Sequence, residues 1–145
     1  MDTAVENTWN AADSTNVAGA LCWQAERQRN ATAIHYPECG SFGIVRYKSC
    51  SYRELDILSD NYARGLQEYG ITRGTRTALM LTPGLEFFAV FFALFKAGAV
   101  PVLIDPGIGM KPLKACLAEA APKAFIGVTK AHLARKILGW ARESC

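Results

Sequence analysis

At 145 residues the chain is long enough for one domain with its own core and too short for two domains of ordinary size. Half of its residues are hydrophobic, 10% are aromatic and only 20% are charged, which excludes a disordered or fibrous chain. A formal charge of +3 falls short of the concentrated positive field of a nucleic-acid binder.

Residues 1–15 are polar, small and aperiodic, and read as a disordered lead-in to a domain over 16–145. Asp2, Glu6 and Asp13 stand where a secretory signal needs a positive segment and an apolar one, so a cytoplasmic location is expected. Val17, Leu21 and Ala25 then recur at helical spacing up to the charged exit Glu26–Arg29. Ala31–Tyr36 and Phe42–Lys48 are β-prone runs, with Pro37, Glu38, Cys39 and Gly40 suited to a turn between them. Ser51-Tyr52-Arg53-Glu54 has the spacing of a capping box and predicts a helix start, Leu55, Leu58, Tyr62 and Leu66 keep the helical period, and Gly70 supplies the stop.

After Gly70 the pattern changes to strands alternating with helices: Thr75–Thr82, Leu85–Ala97, Val100–Ile104, Pro112–Ala120, Ala124–Val128 and Ala131–Trp140. Continuous apolar strands alternating with helices predict an α/β fold with a parallel sheet buried on both faces. Phe87–Ile104 is apolar enough to suggest a membrane span. A helix across it, however, carries Lys96 near its middle and Pro101 inside, so a buried helix, a glycine cap and a buried strand are the better reading.

Few residues point to chemistry. Asp105-Pro106-Gly107-Ile108-Gly109-Met110-Lys111 is a glycine-rich connection between a strand and a helix, as in phosphate loops, but Pro112 replaces the hydroxyl residue that would hold Mg²⁺. The turn Thr82-Pro83-Gly84 lacks the glycines of a dinucleotide fingerprint. His132, Cys116 and His35 fall in no nucleophile or metal motif and read as structural. The five cysteines, Cys22, Cys39, Cys50, Cys116 and Cys145, form no C-x-x-C pair and read as reduced, mostly buried thiols. Seven cations after residue 105 (Lys111, Lys114, Lys123, Lys130, Arg135, Lys136, Arg142) face only Glu119 and Glu143, yet they lack the regular interleaving with aromatics that stacks bases, so they read as solvated helix faces. The phenylalanine stripe Phe87, Phe88, Phe91, Phe92 and Phe95 reads as core.

The runs Ser51–Leu55, Gly70-Ile71 with Gly74, Pro83–Phe88 and Phe95–Pro106 resemble, in order and spacing, the opening of the AMP-forming adenylating enzymes, the acyl-CoA synthetases and their relatives. Asp105–Lys111, Ala124–Gly127 and Lys130–Arg135 are similar to the olefin β-lactone synthetases and fatty-acyl-AMP ligases within that superfamily. The resemblance implies the N-terminal part of an adenylating domain: a parallel β-α-β-α-β half-sheet covered by helices, preceded by a helix and two short strands. It implies activation of a 3-hydroxy fatty acid as an acyl-adenylate and closure to a β-lactone or transfer to a thioester, with ATP and Mg²⁺ as cofactors of the full-length enzyme. The implied partners are the remainder of the adenylating enzyme, an acyl substrate and other olefin-biosynthesis enzymes, with no nucleic acid and no transmembrane segment.

The family's phosphate loop, acidic Mg²⁺ motif, ribose-binding aspartate and catalytic lysine lie downstream of these opening motifs and do not occur in these 145 residues. No catalytic, cofactor-binding or metal residue is therefore assigned, no cofactor is expected to bind this chain alone, and the chain alone is expected to be inactive. The alternative is a stand-alone α/β interaction module without enzymatic activity, since an incomplete sheet leaves an open edge and an uncovered apolar face.

Overall fold

A computed structural model describes residues 16–39, 45–104 and 109–128. The expected lead-in over 1–15 and the expected helix over Ala131–Trp140 lie outside them. The first element is helix α1 (Ala18–Arg27), which buries Ala18, Leu21 and Ala25. Asn16 ties its start to the rest of the fold: Oδ1 accepts from the Ala18 N–H at 2.9 Å, and Nδ2 donates to the Phe95 carbonyl at 2.7 Å.

Strands β1 (Thr32–Cys39) and β2 (Val45–Ser51) pair antiparallel, with Tyr36 opposite Lys48 and Pro37 opposite Tyr47. The strand expected to stop at Tyr36 thus continues through Pro37 to Cys39, and its partner, expected to end at Lys48, runs on to Ser51; the expected start of that partner at Phe42 lies outside the described residues. A two-stranded ribbon has two open edges, so a strand residue lacking an N–H forfeits no ladder bond when its nitrogen faces outward. Helix α2 (Tyr52–Glu68) follows β2 without a loop because the capping box lets the chain turn at once. The Glu54 N–H donates to Ser51 Oγ at 3.3 Å while the Ser51 N–H donates to Glu54 Oε2 at 2.8 Å. The Ser51 N–H and the Ser51 hydroxyl, which also donates to Glu54 Oε2 at 2.7 Å, hold the Glu54 carboxyl below its ordinary pKa. The helix ends at Gly70, whose φ of 95° is open to glycine, and the Ile71 N–H returns to the Leu66 carbonyl at 2.8 Å.

The α/β part runs β3 (Arg76–Met80), α3 (Leu85–Lys96), β4 (Val100–Leu103), α4 (Met110–Ala120) and β5 (Ala124–Gly127). The three strands are parallel in the order β4-β3-β5. Successive residues of β3 point to opposite faces and have separate cores. Leu79 packs with Val90 and Leu94 of α3, together with Ile71, Ala99 and Ala124. Ala78 packs with Leu113 and Leu117 of α4 and with Phe125. Helices therefore cover both faces, as the continuous apolar strands predict.

Burial across the sheet is uneven, and this corrects the sequence reading. Among the described residues β4 lies at the edge of the sheet, with Val100 47% and Leu103 55% exposed, rather than buried. α4 starts at Met110, two residues before the expected Pro112, because proline is acceptable within the first helical turn, where N–H groups lack intrahelical acceptors. Among the described residues no helix is long and apolar enough to cross a membrane. The run Phe87–Ile104 divides into α3, a turn at Gly98 (φ 73°) and β4.

A third core joins these layers to the amino-terminal elements: Leu21 of α1, Cys50 of β2, Leu55 of α2 and Ala89 of α3. Beside it lies the one charge of the apolar part of α3. Lys96, 10% exposed, donates from Nζ to Asp56 Oδ1 and Asp60 Oδ1, both at 2.6 Å, and to the Asp56 carbonyl at 3.0 Å. The Cys22 thiol of α1 donates to the same Asp56 Oδ1 at 3.4 Å. Burial alone pulls the Lys96 ammonium down, but the bonds to Asp56 and Asp60 outweigh it and raise its pKa above the ordinary 10.5.

Two stability outcomes follow. Lys96→Met keeps the aliphatic stem but leaves Asp56 without its cation, and should cost about 2 kcal/mol in urea unfolding, whereas Asp60→Asn, at the exposed end of the cluster, should cost less than about 0.5 kcal/mol. Because the Lys96 pKa is raised on folding, its contribution is complete at neutral pH and is lost as the pH rises past 10.5. An equal loss in the two variants, or a wild-type advantage that persists well above that pH, would show that the cluster does not hold the helices together. Separately, Ala121 ends α4 in the left-handed region at φ 42°, a conformation that disfavours a Cβ. Ala121→Gly should raise stability by about 0.5–1 kcal/mol in the same assay, the relief of left-handed strain exceeding glycine's greater unfolded-state entropy.

Candidate functional site at the carboxyl ends of the strands

The strand order β4-β3-β5 forces a reversal. The chain leaves β3 through α3 to reach β4 on one side, then leaves β4 through α4 to reach β5 on the other side of β3. Since α3 and α4 cover opposite faces, the connections leaving the carboxyl ends of the adjacent strands β3 and β4 diverge. A crevice opens between such connections, and open α/β sheets bind ligands at such switch points. The described residues that border this switch point are Thr82, Pro83 and Gly84 after β3 and Gly109 before α4, parts of the two glycine-containing turns that the sequence singles out.

The described groups in these walls are sparse. Gly84 precedes α3 with extended backbone (φ 175°), and Glu86 lies in the first turn, where its carboxylate opposes a bound anion. Gly109 precedes α4 at φ 85°, a conformation suited to glycine. The first turn of α4 then contains Pro112, which has no N–H to offer. Asp105–Ile108 lie outside the described residues, as do the side chains of Met110 and Lys111. Among the described residues no group of three or more His, Cys, Asp and Glu is arranged to hold a metal ion. The described residues do not by themselves fit a magnesium–triphosphate complex, which needs convergent donors, a cation and a metal-holding oxygen set.

The other candidates are dispersed. His35 is exposed on β1, Cys116 is exposed on α4, and His132 lies outside the described residues. Of the expected reduced, mostly buried thiols, Cys50 is buried, Cys22 half-buried and Cys116 exposed, while Cys145 and the side chain of Cys39 lie outside the described residues. Burial and the bond to Asp56 raise the Cys22 pKa, and burial with the nearby Glu54 raises that of Cys50, so neither thiol is poised as a thiolate. Four of the five phenylalanines expected in the core are half-buried at the margins of two cores, Phe87 and Phe91 on the sheet side and Phe88 and Phe92 on the amino-terminal side, while Phe95 packs edge-on against Phe91 at 4.9 Å.

Sequence reading missed the Lys96 cluster. Its signal was present: Asp56 and Asp60 lie one helical turn apart, and a lone lysine closing an apolar helix must find a partner.

Three relatives put this architecture in context. The chain is 50% identical over 128 residues to the olefin beta-lactone synthetase of Xanthomonas campestris pv. campestris, covering 87% of this chain and 23% of that protein. The N-terminal subdomain of NpsA from Klebsiella oxytoca superposes with a TM-score of 0.70 at 20% identity, over 80% of this chain and 28% of that one. The fatty acid AMP ligase of Legionella pneumophila superposes with a TM-score of 0.64 at 21% identity, over 86% of this chain and 22% of that one. At these identities the two superpositions speak for the fold alone, and the chain spans about a quarter of the length of the curated relative. The family model described as AMP-binding enzyme matches residues 21–144, nearly the whole sequence, and on that match the chain belongs to the AMP-binding, adenylate-forming enzymes as their amino-terminal portion.

Proposed function

We propose that residues 16–145 are the amino-terminal subdomain of an ATP- and Mg²⁺-dependent enzyme that activates 3-hydroxy fatty acids as acyl-adenylates and closes them to β-lactones. The observation that carries this reading is the 50% identity to an olefin beta-lactone synthetase over most of the chain. The charge distribution supports dividing the labour this way. Glu86 in the first turn of α3 and Pro112 in that of α4 fit a bound triphosphate poorly, which supports a reading in which the rest of the enzyme supplies the groups that neutralise it. The exposed apolar residues Val100 and Leu103 on the edge strand support a remainder that packs there. That remainder is the principal partner, an acyl chain is the substrate, other olefin-biosynthesis enzymes act beside it, and the site of action is the cytoplasm.

The test uses a chimera in which this chain replaces the matching segment of the Xanthomonas protein. With 3-hydroxy fatty acids the chimera should support pyrophosphate exchange and form β-lactone, while the 145-residue chain alone stays at background and gives no calorimetric binding of Mg·ATP. Exchange by the chain alone, or micromolar ATP binding lost on Lys111→Ala, overturns the division of labour. A folded chimera that activates only acids lacking the hydroxyl overturns the substrate.

A further inference from the structure

The amino ends of the strands, opposite the crevice, carry charge of their own. There the turn before β3 runs against the turn before β4: the Gly74 N–H donates to the Gly98 carbonyl at 2.9 Å, and the Val100 N–H to the Thr75 carbonyl at 3.0 Å. Arg73 lies so close that a Cβ on Gly98 would meet its Cα, Cβ and Cγ at 3.4 Å. Beside this contact is an open groove of about 330 Å³ whose lining includes Asn16, Val17, Arg73 and Phe95. Arg76 opens β3, and Lys123, whose N–H donates to the Arg76 carbonyl at 2.8 Å, stands just before β5. All three cationic residues are exposed, and among the described residues none forms an ion pair, not even with Glu68 and Glu119 in the last turns of α2 and α4. Neighbouring cations without a counter-charge repel one another, so an anionic occupant is favoured there.

The sequence supplies that occupant, and the fold delivers it to the groove. Residues 1–15 contain Asp2, Glu6 and Asp13 but no Lys or Arg. They join the described chain at Asn16, which lines the same groove as Arg73 and is fastened there by donation from Nδ2 to the Phe95 carbonyl at 2.7 Å. Three residues of extended chain reach about 10 Å, which brings Asp13 within range of Arg73, and ten residues reach about 35 Å, which brings Glu6 within range of Arg76 and Lys123. A tethered segment also meets the groove at an effective concentration of the order of millimolar, which a separate acidic peptide would have to reach in solution. We propose that residues 1–15 dock along the amino ends of the strands, Asp13 pairing with Arg73 in the groove and Glu6 and Asp2 with Arg76 and Lys123. This surface lies away from the crevice of acid activation and needs neither ATP nor the remainder of the enzyme.

The test is amide NMR on the 145-residue chain at low salt, comparing the unmodified protein with Asp13→Asn and with the double variant Asp2→Asn, Glu6→Gln. These substitutions leave Arg73, Arg76, Lys123 and every described core residue in place. Asp13→Asn should shift the amides of Gly74, Gly98 and Ala99 and lower the ratio of docked to free segment about threefold, while the double variant should shift those of Arg76 and Lys123. Raising NaCl from about 20 mM to about 0.5 M, where the screening length falls to about 4 Å, should move the same amides of the unmodified chain in the same direction and erase the differences between the variants. Arg73→Glu should release the segment, and Asp13→Lys added to it should restore docking. Amides of Gly74, Gly98 and Ala99 that ignore Asp13→Asn overturn the proposal, as do differences that persist unchanged at high salt. Shifts that vanish on dilution overturn it in favour of a second copy of the chain. Amides that respond to phosphatidylglycerol vesicles but to none of the substitutions overturn it in favour of a lipid surface.

Discussion

α3 sets the terms for the rest of the structure. Its twelve residues are apolar except for Glu86 in the first turn and Lys96 in the last, so no single stripe can be buried while the remainder faces water. The helix has to be covered from two sides. β3 and its neighbours take Val90 and Leu94, while the α1, α2 and hairpin layer takes Ala89, Phe88 and Phe92. The amino-terminal elements are thus the second cover of the helix that the sheet begins to bury.

That sandwich explains why the Lys96 ion cluster lies where it does. Lys96 leaves the apolar helix at the level of α2, where Asp56 and Asp60 present carboxylates one turn apart, and Cys22 reaches the same oxygen from α1. Apolar packing is nondirectional and would tolerate sliding of one helix along another. Hydrogen bonds from one ammonium to two side chains and a main-chain carbonyl are directional, and fix the axial position of α3 against α2. The register of α3 in turn sets where its first turn, and hence one wall of the crevice, begins.

Most of the fold was legible because its local signals agreed with its global demands. The capping box at Ser51 and Glu54, the glycines at 70 and 98, and the alternation of apolar strands with helices each act within a few residues and appear where expected. The hairpin was misplaced because proline reads as a strand breaker, whereas a two-stranded ribbon leaves room for it at Pro37. The exposure of β4 was illegible for a different reason. Val100–Leu103 has the composition of a buried strand, and an edge position is fixed by strand order, which local periodicity does not contain. The Lys96 cluster shows the limit in part: the two aspartates one turn apart and the lone lysine are local signals, but their pairing across 36 and 40 residues is a matter of how α2 and α3 pack.

The crevice shows why family membership was readable here while a reaction centre was not. A switch point arises from backbone topology alone, and a chain of this length can complete it because β3, α3, β4 and α4 are consecutive. Neutralising a triphosphate requires charges gathered from several segments, and each must be held by a framework already in place. Glu86 at one helix start and Pro112 in the other make the described walls poor at holding phosphate unaided. They remain well suited to spacing two diverging connections, a task in which a carboxylate and a proline do no harm. The described side chains thus fit a role in spacing the two connections better than a role in holding phosphate, because a carboxylate at one helix start and a proline in the other leave the backbone geometry intact while weakening its hold on an anion.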